Sequence, residues 1–438
     1  MTRLLIYLSL LNVSLAFYTS KSLALKKVVQ KCHFQEDVDT TSSSFFDGSA
    51  NVGFVDICNG FGSSSLDRRT ALVAGAYLAS FGIMMPPDGV YAIASPSPDV
   101  LLKSFDGKTI SMPLIAYSFY KTSPEQAPRG LALALRAGVR HFDLATDYGN
   151  FDEVAPILKQ YWTTGKIDWK FEDEKEELLQ LLDRTKKAAG SFRTKMDGKQ
   201  RRQDIFLTYK LSNDEQSTDP SSIKNKVESI LSQLDTPCID LVSLHSPLPG
   251  SERRISTYKT LLDLKEKGLI RAVGVCNYGL CHLKELSANG FPLPAVNQLE
   301  ISPFNTHDPI VRYCKESSIQ VSCAAWSKLS SVSGPVEQWA KLGELAKDKG
   351  VTKAQVLVRW ALQKGFGCAP RSGTGSKLER IAVAENSFGG VVNFNLSEND
   401  MDLLRSLDVD YKAGKLGRRD GWKDEDVTSD SWDPTDAC

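Results

Sequence analysis

From residue 95 onward the chain alternates two kinds of hydrophobic pattern. Short β-branched or apolar runs at 114–117, 141–145, 205–211, 241–245, 272–277, 295–301, 320–326 and 367–372 predict eight strands. Amphipathic stretches with helical spacing lie between them, among them 129–137, 222–234, 254–267, 282–288, 309–317, 336–349, 353–363 and 378–386. Strict strand–helix alternation requires parallel strands joined by covering crossovers. Eight units in roughly 345 residues predict an α/β fold, a (β/α)8 barrel of the TIM type with extra helices. The competing architecture, a doubly wound open sheet, would carry a Gly-rich phosphate turn after its first strand, and none follows residues 114–117. Residues 101–110, around Asp106-Gly107, predict an N-terminal β-hairpin.

Two regions break the alternation. Residues 162–204 are dense in Glu, Lys and Arg around a helical core near 175–189, and they fall between a helix and the next strand. That position puts them on the barrel face opposite strand C-termini, as a solvated surface helix or a docking surface. The tail, 411–438, is acidic from residue 422, with no periodicity that fixes a fold.

The first 94 residues read as targeting sequence. Arg3 and an apolar run, 4–17, ending Leu15-Ala16-Phe17, fit a signal peptide over 1–17. Residues 18–94 form a transit or linker segment, and within it 68–94 carry Arg68-Arg69, an apolar run at 71–85 and an Ala92-Ile93-Ala94 cleavage pattern, the layout of a twin-arginine signal. Tandem signals of this kind resemble plastid targeting in algae with complex plastids. They imply a plastid address with the thylakoid lumen as a destination, and a secretory or membrane-associated location as the alternative. Fifteen apolar residues at 71–85 fall short of a stable membrane anchor.

Composition narrows the partners. Lys plus Arg and Asp plus Glu balance at 53 each with a pI near 6.9, which gives no reason to expect nucleic acid. The nine cysteines show no zinc-ligand spacing, and several sit in apolar runs, so they read as small core residues rather than disulfides or metal ligands.

Chemistry concentrates at predicted strand ends. Residues 137–150, AGVRHFDLATDYGN, place Asp143 near the end of one strand and Tyr148 on the next loop. Lys210 ends IFLTYKL and His245 ends DLVSLH. Catalytic groups of a (β/α)8 barrel sit at strand C-termini. These residues and their surroundings resemble the aldo-keto reductase family over roughly residues 101–408, with the hairpin as the plug of the barrel floor. The resemblance implies that Asp143, Tyr148, Lys210 and His245 are catalytic. Carbonyl reduction develops negative charge on oxygen and needs a proton donor, here Tyr148. A neighbouring ammonium, Lys210, would favour the phenolate, with Asp143 holding the ammonium and His245 donating a second hydrogen bond.

The same resemblance extends to a nicotinamide site. GVCN and NQLE match family motifs that would put Asn277 and Gln298 on the carboxamide, and Trp326 stands where the family stacks a tyrosine on the ring. Pro370-Arg371-Ser372 resembles the family's phosphate-binding PKS, and a bidentate Arg371 with Ser372 favours NADPH over NADH. Arg380, Glu385 and Asn386 resemble its adenine-binding helix, at an interval two residues longer. The family's glycines in the first strand are replaced by Ala116-Tyr117-Ser118-Phe119. The implied protein is a monomeric NADPH-dependent aldehyde or ketone reductase that needs no metal. The alternative is a non-catalytic nucleotide-sensing subunit on the same fold that docks a partner through residues 162–204.

Overall fold

A computed structural model describes residues 99–103, 109–165, 180–184, 198–324, 326, 335–370, 382–411 and 435. The signal and transit segments, Arg371, Ser372 and Arg380 lie outside the described residues, as does the tail except for Thr435.

The hairpin pairs β1 (Asp99–Lys103) with β2 (Thr109–Pro113), antiparallel, with Leu102 opposite Ile110. One face of the ribbon, with Leu102, Ile110 and Met112, is buried, and Leu101 on the other is 60 % exposed, as period-two alternation requires. Eight parallel strands follow: β3 (Ala116–Ser118), β4 (His141–Ala145), β5 (Phe206–Leu211), β6 (Ile239–Leu244), β7 (Ile270–Cys276), β8 (Val296–Leu299), β9 (Gln320–Cys323) and β10 (Gly367–Cys368). They pair in sequence order, and an isolated parallel bridge between Ile115 and Cys368 joins last to first. There the Cys368 N–H donates to Leu114 O at 2.7 Å. Every residue of β4, β5 and β6 is buried, the signature of parallel strands covered on both faces.

Helix starts show why several elements reach beyond their hydrophobic pattern. Helix Pro220–Leu234 begins two residues early because Asp219 caps it, accepting from the Ser221 and Ser222 N–H groups, with Pro220 in the first turn. Thr352 and Gln355 form a capping box at the head of helix Lys353–Gln363. Helix Phe151–Thr164 runs into the charged region, and Trp162, its first residue by composition, is buried.

The described parts of that charged region attach at the N-terminal ends of the strands. Arg202, on helix Gly198–Asp204, donates to Thr236 Oγ1 and to the carbonyls of Ile205 and Cys238, and it pairs with Asp240 at 2.9 Å. On the same floor, His141 links Pro113 O at 2.8 Å and Thr208 Oγ1 at 2.7 Å. A carbonyl only accepts, so Nδ1 carries the hydrogen and Nε2 takes the threonine proton. Burial pushes this imidazole down, which keeps it neutral.

The cysteine expectation needs one correction. Cys276, Cys314, Cys323 and Cys368 are free and buried and Cys238 is free, but Cys281 is disulfide-bonded. It sits, half-buried, in the first turn of helix Leu280–Ala288. Among the described residues no helix is long and apolar enough to cross a membrane.

Candidate active site

The C-terminal ends of β3 to β8 carry a buried polar cluster. Asp143 is the third residue of β4 and Lys210 the fifth of β5, and they are 1 % and 2 % exposed. Lys210 Nζ donates to Asp143 Oδ2 at 2.7 Å and to Gln298 Oε1 at 2.9 Å. Burial alone would disfavour the ammonium, but Asp143, with help from Tyr148 and Cys276, more than offsets it and holds Lys210 protonated.

Tyr148 is placed by the turn after β4. A 3-10 turn, Thr146–Tyr148, ends at Gly149 with φ of +65°, a left-handed conformation that a side chain would strain. Asn150 then buries its amide, which donates to Phe119 O at 2.9 Å and Thr122 O at 2.8 Å and ties this turn to the loop after β3. At the head of the turn, the Thr146 hydroxyl donates to both oxygens of Glu215 and accepts from the Tyr209 hydroxyl at 2.7 Å. Glu215 also accepts from the Ser212 N–H and pairs with Lys226 at 2.6 Å.

So held, the Tyr148 hydroxyl donates to Asp143 Oδ2 at 3.2 Å, and Lys210 Nζ lies 5.0 Å from the centre of its ring. Burial pushes the phenol up, Asp143 adds to the rise, and Lys210 and a hydrogen bond from Ser118 oppose it. Lys210 pulls toward phenolate, as expected of a neighbouring ammonium, but the net direction is upward. Burial and a carboxylate 3.2 Å away outweigh the ammonium, so Tyr148 keeps its proton well above neutrality.

His245 follows β6, with its backbone N–H on Leu211 O at 2.9 Å. Its Nδ1 lies 2.9 Å from Asp147 Oδ2, and its ring meets the Tyr148 ring edge-on at 6.2 Å between centres. Asn277 adopts a positive φ of 59°, donates from its backbone to Gln298 O at 2.8 Å, and reaches His245 O with its side chain at 3.4 Å. Gln298 stands beside Cys276 in the β7–β8 register, and its Oε1 also faces the Cys276 thiol at 3.9 Å. Trp326 is partly buried and donates to Ile301 O at 2.7 Å, just past β8.

Asp143, Tyr148, Lys210, His245, Asn277 and Gln298 are thus joined at one barrel mouth. The described contacts do not connect Glu385 and Asn386 to that cluster. Burial raises the Glu385 carboxyl, and Asn386 is buried with its Oδ1 lacking a hydrogen-bond partner. Sequence reasoning missed Ser118, Asp147, Asn150 and Glu215. Ser118 was visible as a hydroxyl where glycine was expected, and its register partner is Asp143. Asp147 sits beside Tyr148 in the chain, but nothing local announces a histidine 98 residues away.

The aldo/keto reductase family model matches residues 116–409 of the chain. The chain belongs to the aldo/keto reductase family. This reductase is 33 % identical over 282 residues to an uncharacterised oxidoreductase of Schizosaccharomyces pombe, covering 64 % of this chain and 83 % of the relative. It is 26 % identical over 314 residues to the methylglyoxal reductase DkgA of Escherichia coli O157:H7, covering 72 % and 95 %. A crystal structure of an aldo/keto reductase from Brucella melitensis is similar at 26 % identity and a TM-score of 0.53, over 71 % of this chain and all of that one. The Bombyx mori aldo-keto reductase in complex with NADP shares the fold, at 22 % identity and a TM-score of 0.55 over 72 % and 94 % of the two chains. The reductase is therefore a nicotinamide-nucleotide-dependent oxidoreductase acting on carbonyl groups of small molecules.

Proposed function

We propose that this reductase converts an aldehyde or ketone to the alcohol with NADPH, and that Tyr148 is the proton donor. The observation that carries the reading is the buried Lys210 ammonium bonded to Asp143, with the Tyr148 hydroxyl on the same carboxylate oxygen. A substrate carbonyl at this mouth would meet the Tyr148 hydroxyl and the His245 ring together. As hydride reaches carbon, charge grows on oxygen, and hydrogen-bond donors fixed beforehand stabilise it without reorganisation. Tyr148 then gives up its proton, and Lys210 lies close enough to stabilise the phenolate left behind. Asp143 keeps the ammonium charged throughout.

The residues fit a nicotinamide nucleotide. When bound, the reduced nicotinamide supplies the hydride. Asn277 and Gln298 would hold its carboxamide and Trp326 would stack on its ring. Asn386 offers a buried amide oxygen with no partner, an acceptor an adenine amino group would satisfy. Arg371 and Ser372 would bind the 2′-phosphate, which is the basis for NADPH rather than NADH, with Arg380 and Glu385 near the adenine.

The test is turnover by the purified protein with NADPH and a panel of aromatic aldehydes, sugar aldehydes and methylglyoxal, the last chosen because one relative is named a methylglyoxal reductase. Absence of turnover on all of them, with NADPH bound and the fold intact, overturns the reading. The relatives described above are named as oxidoreductases or reductases, which does not support the nucleotide-sensing alternative. We also infer that the reductase acts as a monomer and that residues 1–94 direct it to a plastid.

A further inference from the structure

The strongest feature outside the expected constellation is the contact between Asp147 and His245. Asp147 shares the Thr146–Tyr148 turn with the proton donor, and its Oδ2 lies 2.9 Å from His245 Nδ1. The imidazole is largely enclosed, with its side chain 14 % exposed, and the carboxylate is 32 % exposed. The turn has little freedom to move the carboxylate away, because Thr146 is bonded to Glu215 and Tyr209 at one end and Asn150 is anchored at the other. Tyr148 packs edge-on against the ring, and the Lys210–Asp143 pair stands behind Tyr148.

This geometry constrains the protons. An ionised carboxylate only accepts hydrogen bonds, so His245 Nδ1 carries a hydrogen. In a neutral imidazole the other nitrogen, Nε2, is then a lone pair, and a lone pair facing a carbonyl oxygen repels it. A histidine bonded in this way donates to a substrate carbonyl only when both nitrogens are protonated, and a carboxylate at 2.9 Å is what favours that state.

We propose that Asp147 is a positioning residue that fixes the His245 ring and holds it as an imidazolium, so that Nε2–H supplies a charge-assisted hydrogen bond to the substrate oxygen beside the Tyr148 hydroxyl. The inference rests on the reductase reading of this site and assigns to it a carboxylate that the sequence motifs leave without a role. The imidazolium stabilises charge on the oxygen, and Tyr148 remains the group that transfers its proton.

Two variants of the full chain separate charge from shape. Asp147→Asn keeps the size and an acceptor oxygen but removes the charge, and Asp147→Glu keeps the charge. In NMR of 15N-histidine-labelled protein with NADP+ bound, wild type is expected to show both His245 nitrogens protonated at neutral pH. Asp147→Asn is expected to show a neutral ring at the same pH. With NADPH and methylglyoxal or a nitrobenzaldehyde, Asp147→Asn should lose about tenfold in kcat/KM at pH 8, the difference between a charge-assisted and an ordinary hydrogen bond. That loss should shrink toward acid pH, where the ring protonates without help, and the KM for NADPH should not move. Asp147→Glu should recover part of the loss. A neutral His245 in wild type, or an unchanged pH profile in Asp147→Asn, overturns the proposal. If wild type reduces no carbonyl, the reductase reading fails while the NMR arm still decides the proton state of the pair, so the two failures are distinguishable.

Discussion

Lys210 and Asp143 form a 2.7 Å ion pair with both side chains 2 % exposed, so neither charge has water to fall back on. Replacing Lys210 by Met leaves a buried carboxylate without its counter-ion, and the expected loss is about 3–5 kcal/mol, measured as a drop in the urea midpoint. Tyr148→Phe differs in kind. It removes a hydroxyl that donates to Asp143 at 3.2 Å and leaves the Lys210–Asp143 bond in place. NADPH affinity, measured by fluorescence titration, is expected to stay near wild type while kcat falls about 10²- to 10⁴-fold, the range of a lost general acid. A sensing subunit would lose nothing measurable. The sequence exposed Asp143, Tyr148, Lys210 and His245 because each is an unusual occupant of a strand's C-terminal half or of the loop that follows it. It did not reveal that the phenol is pushed up rather than down, since that sign depends on how deeply the ring is enclosed and on which charge lies nearer.

At the level of elements, the turn after β4 sets the geometry. Gly149 has open space around the position of a Cβ, so Gly149→Ala meets no clash and its cost is conformational. About 1 kcal/mol of stability is expected to be lost, read from the same urea curves, with a larger proportional loss in kcat because Tyr148 is the adjacent residue. Gly274 on β7 is the opposite case. A Cβ there would stand 2.6 Å from Ser243 Oγ and 3.2 Å from Val296 O, so Gly274→Ala strains the barrel wall through packing. Strand existence and order were legible from the alternation of patterns. Strand ends were not: the apolar run 320–326 continues past the last residue of β9, Cys323, and Trp326 instead turns inward to bond Ile301 O. A continuous apolar run marks burial, and partial burial, at Ala324 and Trp326, continues after the ladder stops.

For the molecule as a whole, buried phenols set the alkaline limit. Tyr148, Tyr258 and Tyr278 are all pushed up by burial, and Tyr209 likewise. In the unfolded chain these groups ionise near pH ~10, so above that pH the folded state holds more protons than the unfolded one. The slope of stability with pH is then negative, and the raised Lys210 acts with the same sign. Stability is expected to be full below pH ~10 and to fall as pH rises further, seen as a lower urea midpoint at pH 10.5 than at pH 8. The targeting proposal has its own measurement. The N-terminal residue of the mature protein, read by sequencing, is expected near Ser95 if both export-like segments are removed, and a start near Tyr18 would leave only the first cleavage.

What the sequence determined by itself was periodicity: apolar runs that bury, amphipathic stretches that cover them, and rare polar residues at the run ends. Those follow from local chemistry, so the barrel, the family resemblance and the polar residues at and just after strand ends could be read from the chain. Only the tertiary structure decided who meets whom. The Asp147–His245 contact spans 98 residues, and Thr146 meets Glu215 across 69. Such pairings depend on the closure and stagger of the barrel, which bring distant loops to one mouth, and no spacing along the chain encodes that distance.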